Sequence, residues 1–169
     1  MIIIIPIVGI GERFKNNGYK KPKSLIDICG KPIIYYLLDN LKTDNIDYIF
    51  IPYNKEYNEY DFENLLINRY PKICFKFFCL KDNTRGVAET INIGIKELNE
   101  SRDIEVICLD SDNFYLCDVI SKWNGRNCIF SFKDLDEKPI FSYIKKDKDD
   151  KIIEIKEKEK ISNYACSGA

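Results

Sequence analysis

The chain has 169 residues, of which 45% are hydrophobic and 31% are charged, a composition typical of a single globular domain. Lys and Arg number 26 against 27 Asp and Glu, for a net charge of -1, so general attraction to a nucleic-acid backbone is not expected. The absence of histidine excludes Ser-His-Asp and Cys-His nucleophile systems, His-ligated zinc and His general bases. Catalysis would depend on carboxylates, lysines, arginines, backbone amides and a hard metal ion.

The seven cysteines indicate a reducing compartment, because their number is odd and no two have Cys-x-x-Cys spacing. Cys74, Cys79, Cys108 and Cys128 lie in apolar runs, where we expect free thiols to pack as small hydrophobic side chains. The apolar stretch 1–8 has no basic n-region and is too short for a signal peptide or a membrane span. We therefore expect a cytoplasmic protein without a membrane partner.

Strand and helix patterns alternate over the first two-thirds of the chain, which predicts βαβ units and a mostly parallel sheet. The predicted strands are Ile2–Val8, Tyr48–Pro52, Cys74–Leu80 and Val106–Leu109; the predicted helices are Ile33–Lys42, Glu56–Arg69 and Val87–Leu98. Between the first strand and the first helix, we expect a polar loop at Gly9–Lys23 and an extended piece at Ser24–Ile28.

The last third of the chain predicts an antiparallel extension of the sheet. A short helix around Val119–Trp123 precedes strands at Cys128–Lys133, Phe141–Lys146 and Ile152–Lys156. Lys148-Asp149-Asp150 has the composition of a hairpin turn, and the charged run Lys145–Lys160 is typical of a solvated hairpin. Residues 1–169 are expected to form one α/β domain.

The loop after the first strand has features of a phosphate-binding loop. In Gly9-Ile10-Gly11-Glu12-Arg13-Phe14, glycines would let backbone N–H groups approach phosphates beyond the strand's carboxyl end. Phe14 occupies the place of the third glycine of the dinucleotide fingerprint, and no P-loop Lys-Ser/Thr pair follows. A tight structural turn is the alternative. Arg13 and Lys21-Pro22-Lys23 add the cations that would hold a polyphosphate, although lysines also solubilise ordinary loops.

Asp110-Ser111-Asp112 directly follows a predicted buried strand. Magnesium prefers a few protein carboxylates together with substrate oxygens, so both aspartates are candidate ligands; a simple strand-end turn is the alternative. A third candidate is Thr84-Arg85-Gly86-Val87-Ala88-Glu89-Thr90, which leads into a helix. Its small residues would allow contact with a flat base or sugar, but the segment taken alone is better explained as a helix N-cap.

Together these segments resemble the nucleotidyltransferases of the sugar-nucleotide pyrophosphorylase superfamily. Ile3–Arg13 is similar to the family's strand and Gly-x-Gly-(Thr/Ser)-Arg loop, and Pro22-Lys23 is similar to its Pro-Lys pair. Gly30-Lys31-Pro32-Ile33-Ile34 resembles its Gly-Lys-Pro turn. Thr84–Thr90 is similar to its base-contacting segment, and Ser111-Asp112-Asn113 to its metal-binding strand end.

The resemblance continues to the end of the chain. Glu157-Lys158 is similar to the family's sugar-binding Glu-Lys, and Ser162-Asn163-Tyr164-Ala165 with Gly168 to its later Asn-Tyr-Ala-x-x-Gly strand. The family continues beyond Gly168 and supplies a second metal-binding carboxylate there, so we expect the last strands and helices of the family domain to be missing from 1–169. Glu12 also departs from the pattern, because it replaces a small hydroxyl residue.

The resemblance implies a Rossmann-like three-layer α/β sandwich, Mg²⁺ as cofactor, and transfer of a nucleoside monophosphate from a nucleoside triphosphate to a sugar-1-phosphate or similar phosphomonoester. The resemblance assigns triphosphate binding to five residues of the loop after the first strand: Gly9, Ile10, Gly11, Glu12 and Arg13. It assigns Lys23 to the phosphates around the reacting phosphorus, and Asp112 to the metal, with Asp110 as an alternative ligand. The residues implied to bind the base are Thr84, Gly86, Val87 and Ala88, and those implied to bind the acceptor are Glu157, Lys158 and Asn113. The implied catalytic residues are Arg13, Lys23 and Asp112.

Two other functions stay open at this stage. A metal-dependent GT-A-type glycosyltransferase would also use a strand-end Asp-x-Asp such as Asp110-Ser111-Asp112. A non-catalytic nucleotide-binding or regulatory module is the other, since Glu12 places an acid in the phosphate loop. The sequence leaves open the base, the acceptor and the oligomeric state.

Overall fold

The computed structural model describes residues 1–9, 11–99 and 103–169. These residues form two compact units, Met1–Lys122 and Trp123–Ala169. The first unit contains β1 (Ile2–Ile4), α1 (Glu12–Asn16), β2 (Asp27–Ile28), β3 (Lys31–Pro32), α2 (Ile33–Leu38), β4 (Tyr48–Asn54), α3 (Phe62–Arg69), β5 (Phe75–Leu80), α4 (Val87–Leu98), β6 (Val106–Cys108) and α5 (Val119–Lys122), with 3₁₀ turns at Lys23–Leu25 and Lys55–Tyr60. The expectation of one domain over 1–169 stays a prediction.

A parallel four-stranded sheet forms the centre of the first unit, in the order β5-β4-β1-β6. Ile2 lies between Tyr48 on one side and Val106 on the other. All three residues of β1 and all seven of β4 are buried, as expected for parallel strands covered on both faces. This register brings the carboxyl ends of β1, β4 and β6 to one edge of the sheet.

Helix α4 packs closely on β4 through a glycine. A Cβ added at Gly94 would lie 2.6 Å from Cε1 of Phe50, and Phe50 is buried at 2% exposure. Thr90, one turn earlier on the same helix, is fully buried. Gly94 therefore allows the helix to approach the Phe50 ring closely, while Ile91 and Leu98 of the same helix pack against the core around Phe50.

The second unit is an antiparallel sheet of β7 (Ser131–Lys133), β8 (Ser142–Lys146), β9 (Ile152–Glu157) and β10 (Tyr164–Cys166), in the order β7-β10-β8-β9. The hairpin turn before β9 is confirmed: the Asp147 amide donates to the Lys151 carbonyl at 2.9 Å, and Asp150 has a positive φ of 61°. All residues of β9 are exposed, in agreement with a solvated hairpin. The α/β fold class, with its mostly parallel sheet and antiparallel extension, is confirmed.

Several predicted boundaries are wrong for local reasons. The first strand ends at Ile4, because neither Pro6 nor Pro52, which lies opposite it on β4, has an N–H to donate, and an isolated bridge at Ile7 continues it. The helix predicted at 56–69 is a 3₁₀ turn followed by α3, and the two are separated by Asp61 with a φ of 49°. The extended piece predicted at 24–28 begins as a 3₁₀ turn.

The polar loop predicted at 9–23 contains the short helix α1, and the strand predicted at 128–133 begins only at Ser131. The prediction that Cys74 and Cys128 pack in the interior is wrong, since both are exposed, whereas Cys79 and Cys108 are partly buried. An apolar local context did not determine burial, because burial depends on which other elements cover the strand. No helix among the described residues is long and apolar enough to cross a bilayer.

Candidate active site

A cleft of about 440 Å³ lies beyond the carboxyl end of β1 and is lined by five of the residues predicted to hold phosphates, together with Phe14. These five are Gly9, Gly11, Glu12, Arg13 and Lys23. Gly11 has a φ of 67°, a left-handed conformation that favours glycine, and its carbonyl accepts the amides of Phe14 and Lys15 at 2.9 and 3.0 Å. Ile10 lies outside the described residues.

Lys23 is held at the cleft by a rigid turn. Pro22 precedes it with a φ of -54°, and the Leu25 amide donates to the Pro22 carbonyl at 2.9 Å. Ser24 and Leu25 are buried at 1% and 3% exposure, so the residues after Lys23 anchor the turn in the core. The Lys23 side chain is left about one-third exposed.

Two loops that are far apart in sequence meet at this point. The Lys23 ammonium forms an ion pair with Asp112 Oδ2, across 89 positions of sequence. Beside it, Ser24 Oγ donates to Ser111 Oγ at 3.3 Å, and the Ser24 amide donates to the hydroxyl of the fully buried Tyr57 at 3.3 Å. The predicted phosphate lysine and the predicted metal aspartate are therefore direct neighbours.

Asp110 lies next to this pair and is partly buried. Burial and the Asp112 carboxylate raise the pKa of Asp110, while Lys23 and a hydrogen bond from Asn113 oppose the increase. Asn113 Nδ2 donates to Asp110 Oδ2 at 3.4 Å. The strand end thus gathers two carboxylates and an amide that interact with one another.

The donor set at this strand end fits Mg²⁺. Asp110 and Asp112 supply two carboxylates, and magnesium is usually bound by one or two carboxylates, with substrate phosphates and water completing its shell. Among the described residues, no group of three or more His, Cys, Asp or Glu side chains could hold a metal ion. These two carboxylates could therefore form part of a metal site, and its remaining ligands would have to come from a phosphate substrate and water.

The segment predicted to contact the base is fixed by its own hydrogen bonds. Thr84 Oγ1 lies 2.7 Å from Thr90 Oγ1, and Glu89 accepts the Arg85 amide at 2.6 Å. Gly86 occupies the N-cap of α4 in an extended conformation, without a side-chain capping bond. A Cβ at Gly86 would meet nothing within 4 Å, so neither packing nor backbone angle requires glycine there. Val87 and Ala88 follow it and are exposed.

Asn54 links this segment to the phosphate loop. It is buried at the carboxyl end of β4, and its Nδ2 donates to the Val8 carbonyl at 3.4 Å and to Asn83 Oδ1 at 3.2 Å. The sequence analysis missed Asn54, Ser24 and Tyr57. A polar residue at the end of an apolar strand, as Asn54 is, would have been a usable signal, whereas nothing local distinguished Ser24 or Tyr57.

The two remaining candidate residues lie in the second unit. Glu157 ends β9, and Lys158 follows it with a φ of 54°. The Lys158 amide donates to the Phe141 carbonyl at 2.8 Å, and its ammonium lies 3.2 Å from Glu157 Oε1. Both side chains are exposed. Their role toward an acceptor stays a prediction.

Comparison with known proteins decides the family. The sequence profile of the Nucleotidyl transferase family matches residues 3–169. This chain belongs to the nucleotidyl transferase family. The superfamily to which the sequence motifs pointed is therefore confirmed.

Three proteins similar to this nucleotidyl transferase family member share between 14% and 26% of its residues over the aligned parts. The chain is 26% identical over 113 residues to the bifunctional protein GlmU of Aquifex aeolicus (strain VF5), a match that covers 67% of this chain and only 22% of that protein. A putative glucose-1-phosphate thymidylyltransferase from Bacillus anthracis superposes with a TM-score of 0.78 at 22% identity, covering 99% of this chain and 70% of that one. The inositol-1-phosphate CTP transferase from T. maritima gives 0.76 at 14% identity, covering 99% and 68%. These structural matches show a shared fold.

Proposed function

We propose that this chain transfers a nucleoside monophosphate from a nucleoside triphosphate to a sugar-1-phosphate or similar phosphomonoester, with release of pyrophosphate and with Mg²⁺ as cofactor. The observation that carries the proposal is the meeting of Lys23 and Asp112 beside the glycine cleft. A phosphate-binding cation and a metal-binding carboxylate at one sheet edge are what phosphoryl chemistry needs. Membership in the family supports the reaction class.

The acceptor class is supported by the names of two proteins of similar fold. One is described as a glucose-1-phosphate thymidylyltransferase and the other as an inositol-1-phosphate CTP transferase. Both acceptors are phosphomonoesters, although the bases differ. The shared chemistry is therefore a phosphate oxygen of the acceptor attacking the α-phosphorus of a nucleoside triphosphate.

In the proposed reaction, the acceptor oxygen forms a bond to the α-phosphorus as the bond to the oxygen bridging the α- and β-phosphates breaks. Backbone groups around Gly9 and Gly11, with the Arg13 guanidinium, would bind the triphosphate, and Lys23 would neutralise charge near the reacting phosphorus. Asp112, helped by Asp110, would hold Mg²⁺, which when bound supplies further charge neutralisation. No protein nucleophile is needed, which agrees with the absence of histidine.

The proposal is tested by ligand-induced stabilisation and by turnover. Thermal unfolding would be followed with Mg²⁺ and ATP, CTP, GTP, UTP or dTTP, and with the corresponding nucleotide-sugars, on wild type, Lys23→Ala and Lys21→Ala. Lys21 is the matched control, because it belongs to the same loop and pairs with Asp27 at 2.6 Å. We expect one triphosphate to stabilise wild type and Lys21→Ala but not Lys23→Ala, and to release pyrophosphate on addition of glucose-1-phosphate or inositol-1-phosphate.

Other outcomes point to other functions. Stabilisation by nucleotide-sugars alone would favour a glycosyltransferase that uses the Asp110-Ser111-Asp112 strand end. Stabilisation by a triphosphate without pyrophosphate release for any acceptor would favour a nucleotide-binding module. No stabilisation by any nucleotide would contradict the proposal.

A further inference from the structure

The ion pair between Lys23 and Asp112 joins two side chains that the proposed function assigns to different ligands. Lys23 would bind phosphate and Asp112 would bind the divalent cation. We infer that this pair couples the two ligands, since each ligand must displace one member of the pair and thereby frees the other member for the second ligand. The inference rests on the proposed function and adds a coupling between the two ligands of its site.

The charges of the pair make the coupling favourable, so that each ligand strengthens binding of the other. A cation approaching Asp112 is repelled by the Lys23 ammonium, and a polyphosphate approaching Lys23 is repelled by the Asp112 carboxylate. Once either ligand is bound, the ion pair is already separated, so binding of the second ligand no longer includes the free energy of breaking it. By linkage, the effect of the cation on triphosphate affinity equals the effect of the triphosphate on cation affinity.

The backbone beside the pair keeps the two side chains together. Ser24 is buried at 1% exposure, its hydroxyl bonds to Ser111 next to Asp112, and its amide bonds to Tyr57. These hydrogen bonds connect the two loops directly beside the pair and hold Lys23 and Asp112 within reach of each other. The two side chains are themselves about one-third exposed, so ligands can reach both of them.

The chain contains matched controls for this pair. Lys21, on the same loop as Lys23, forms an ion pair of the same type at 2.6 Å with Asp27 of β2, and neither residue lines the glycine cleft. Asp110 provides a second control, because it adds negative charge beside Lys23 without an ion pair to it among the described contacts. Removing each carboxylate in turn separates the effect of the pair from the effect of net charge.

The first experiment measures the anion without a metal. Inorganic tripolyphosphate would be titrated calorimetrically in the presence of EDTA into wild type, Asp112→Asn, Asp110→Asn and Asp27→Asn. We expect Asp112→Asn to bind about threefold more tightly, the range that partly exposed ion pairs allow, with a smaller gain for Asp110→Asn and none for Asp27→Asn. In a Lys23→Met background, the gain from Asp112→Asn should disappear. Equal gains for Asp112→Asn and Asp110→Asn, or a gain that persists without Lys23, overturn the inference.

The second experiment measures the cation without an anion. Mn²⁺ binding, followed by electron paramagnetic resonance, should be about threefold tighter in Lys23→Met than in wild type and unchanged in Lys21→Met. Equal Mn²⁺ affinities in wild type and Lys23→Met overturn the coupling alone. Wild type that binds Mn²⁺ but none of the five nucleoside triphosphates contradicts the proposed function instead, so the two failures are distinguishable.

Discussion

Charges of both signs line the cleft beyond β1. Arg13 and Lys23 offer positive charge, whereas Glu12, on the first turn of α1, places a carboxylate in the same lining. The family motif has a small hydroxyl residue at the position that corresponds to Glu12, and a hydroxyl group would not repel a triphosphate. The attraction of this cleft for a triphosphate therefore depends on the two cationic side chains and on the one carboxylate that opposes them.

Replacing Glu12 should strengthen triphosphate binding. We expect Glu12→Ser to lower the Kd for the stabilising Mg²⁺-triphosphate about two- to fivefold, because an exposed like charge contributes up to about 1 kcal/mol. Calorimetric titration against wild type measures the change. Glu105→Ser is the control, since Glu105 precedes β6 and lies at the opposite, amino-terminal edge of the sheet. Weaker binding by Glu12→Ser would show that Glu12 takes part in holding the ligand.

At the scale of elements, the contact of α4 with β4 depends on the absence of one side chain. Gly94 faces the ring of Phe50, and the added methyl group of an alanine would lie inside its van der Waals envelope. The segment predicted to contact the base lies at the beginning of this helix. Displacement of α4 would therefore reach the candidate site.

Gly94→Ala should destabilise the protein although alanine favours helices. A Cβ only 2.6 Å from the Phe50 ring places the overpacking cost in the upper part of the usual range, at about 2–3 kcal/mol. The gain in helix propensity offsets about 1 kcal/mol of this cost, so we expect a net loss of about 1–2 kcal/mol. Asn92→Ala, at an exposed position of the same helix, should be neutral or slightly stabilising. Urea unfolding measures both. Partial recovery in Gly94→Ala/Phe50→Leu would locate the strain at this contact, and an unchanged midpoint for Gly94→Ala would contradict it.

A polar cluster ties α2 to its neighbours. Asp39, directly after α2, accepts hydrogen bonds from Lys31 Nζ of β3 and from the Tyr70 hydroxyl after α3, both at 2.6 Å. Burial opposes ionisation of Asp39, but these hydrogen bonds and the charges of Lys31 and Arg69 lower its pKa overall. Because the pKa is lower in the folded state, the stabilisation is present above the unfolded value of about 3.9 and is lost as the pH falls through the folded value.

Asp39→Asn should therefore destabilise the protein in a pH-dependent manner. We expect a loss of about 1 kcal/mol at pH 7, the usual size for a partly exposed hydrogen-bonded charge, and a smaller loss below about pH 4. Urea unfolding at pH 7 and at pH 3.5 provides the comparison. Asp44→Asn, at an exposed position on the connection between α2 and β4, controls for net charge. A loss for Asp39→Asn that is the same at both pH values would contradict the ionic contribution.

At the scale of the whole molecule, the candidate residues are divided between the two units. The residues assigned to triphosphate, base and metal belong to Met1–Lys122, and Glu157 and Lys158 belong to Trp123–Ala169. Each unit has its own sheet. Asn113, the third residue assigned to the acceptor, belongs to Met1–Lys122. The assignment of Glu157 and Lys158 predicts that their substitution affects acceptor binding without affecting nucleotide binding.

Lys158→Met tests this division. We expect about a tenfold higher KM for the phosphomonoester, since loss of a charged hydrogen bond costs about 1.5 kcal/mol or more, with unchanged triphosphate stabilisation. Lysine and methionine tolerate the positive φ at this position equally poorly, so the substitution adds no backbone strain. Lys156→Met on β9 is the control. A changed triphosphate affinity with an unchanged acceptor KM would contradict the assignment.

The sequence by itself determined the class of fold and most of the candidate site. Runs such as Ile2–Ile4 and the alternation of strands with helices are local patterns, and they predict a parallel sheet because covered strands need apolar side chains on both faces. Proline before Lys23 and carboxylates after β6 were also readable, since a residue's place at a strand end follows from the chain around it.

Only the tertiary structure decided which of these residues meet. Lys23 and Asp112 are 89 positions apart, and their contact follows from the order of β1 and β6 in the sheet. The buried anchoring role of Tyr57 and the exposure of Cys74 likewise depend on which elements pack nearby. Local sequence determines whether a segment prefers to be a strand, a helix or a turn. Which side chains are buried, and which ones contact each other, depends on the other elements that the folded chain packs against that segment.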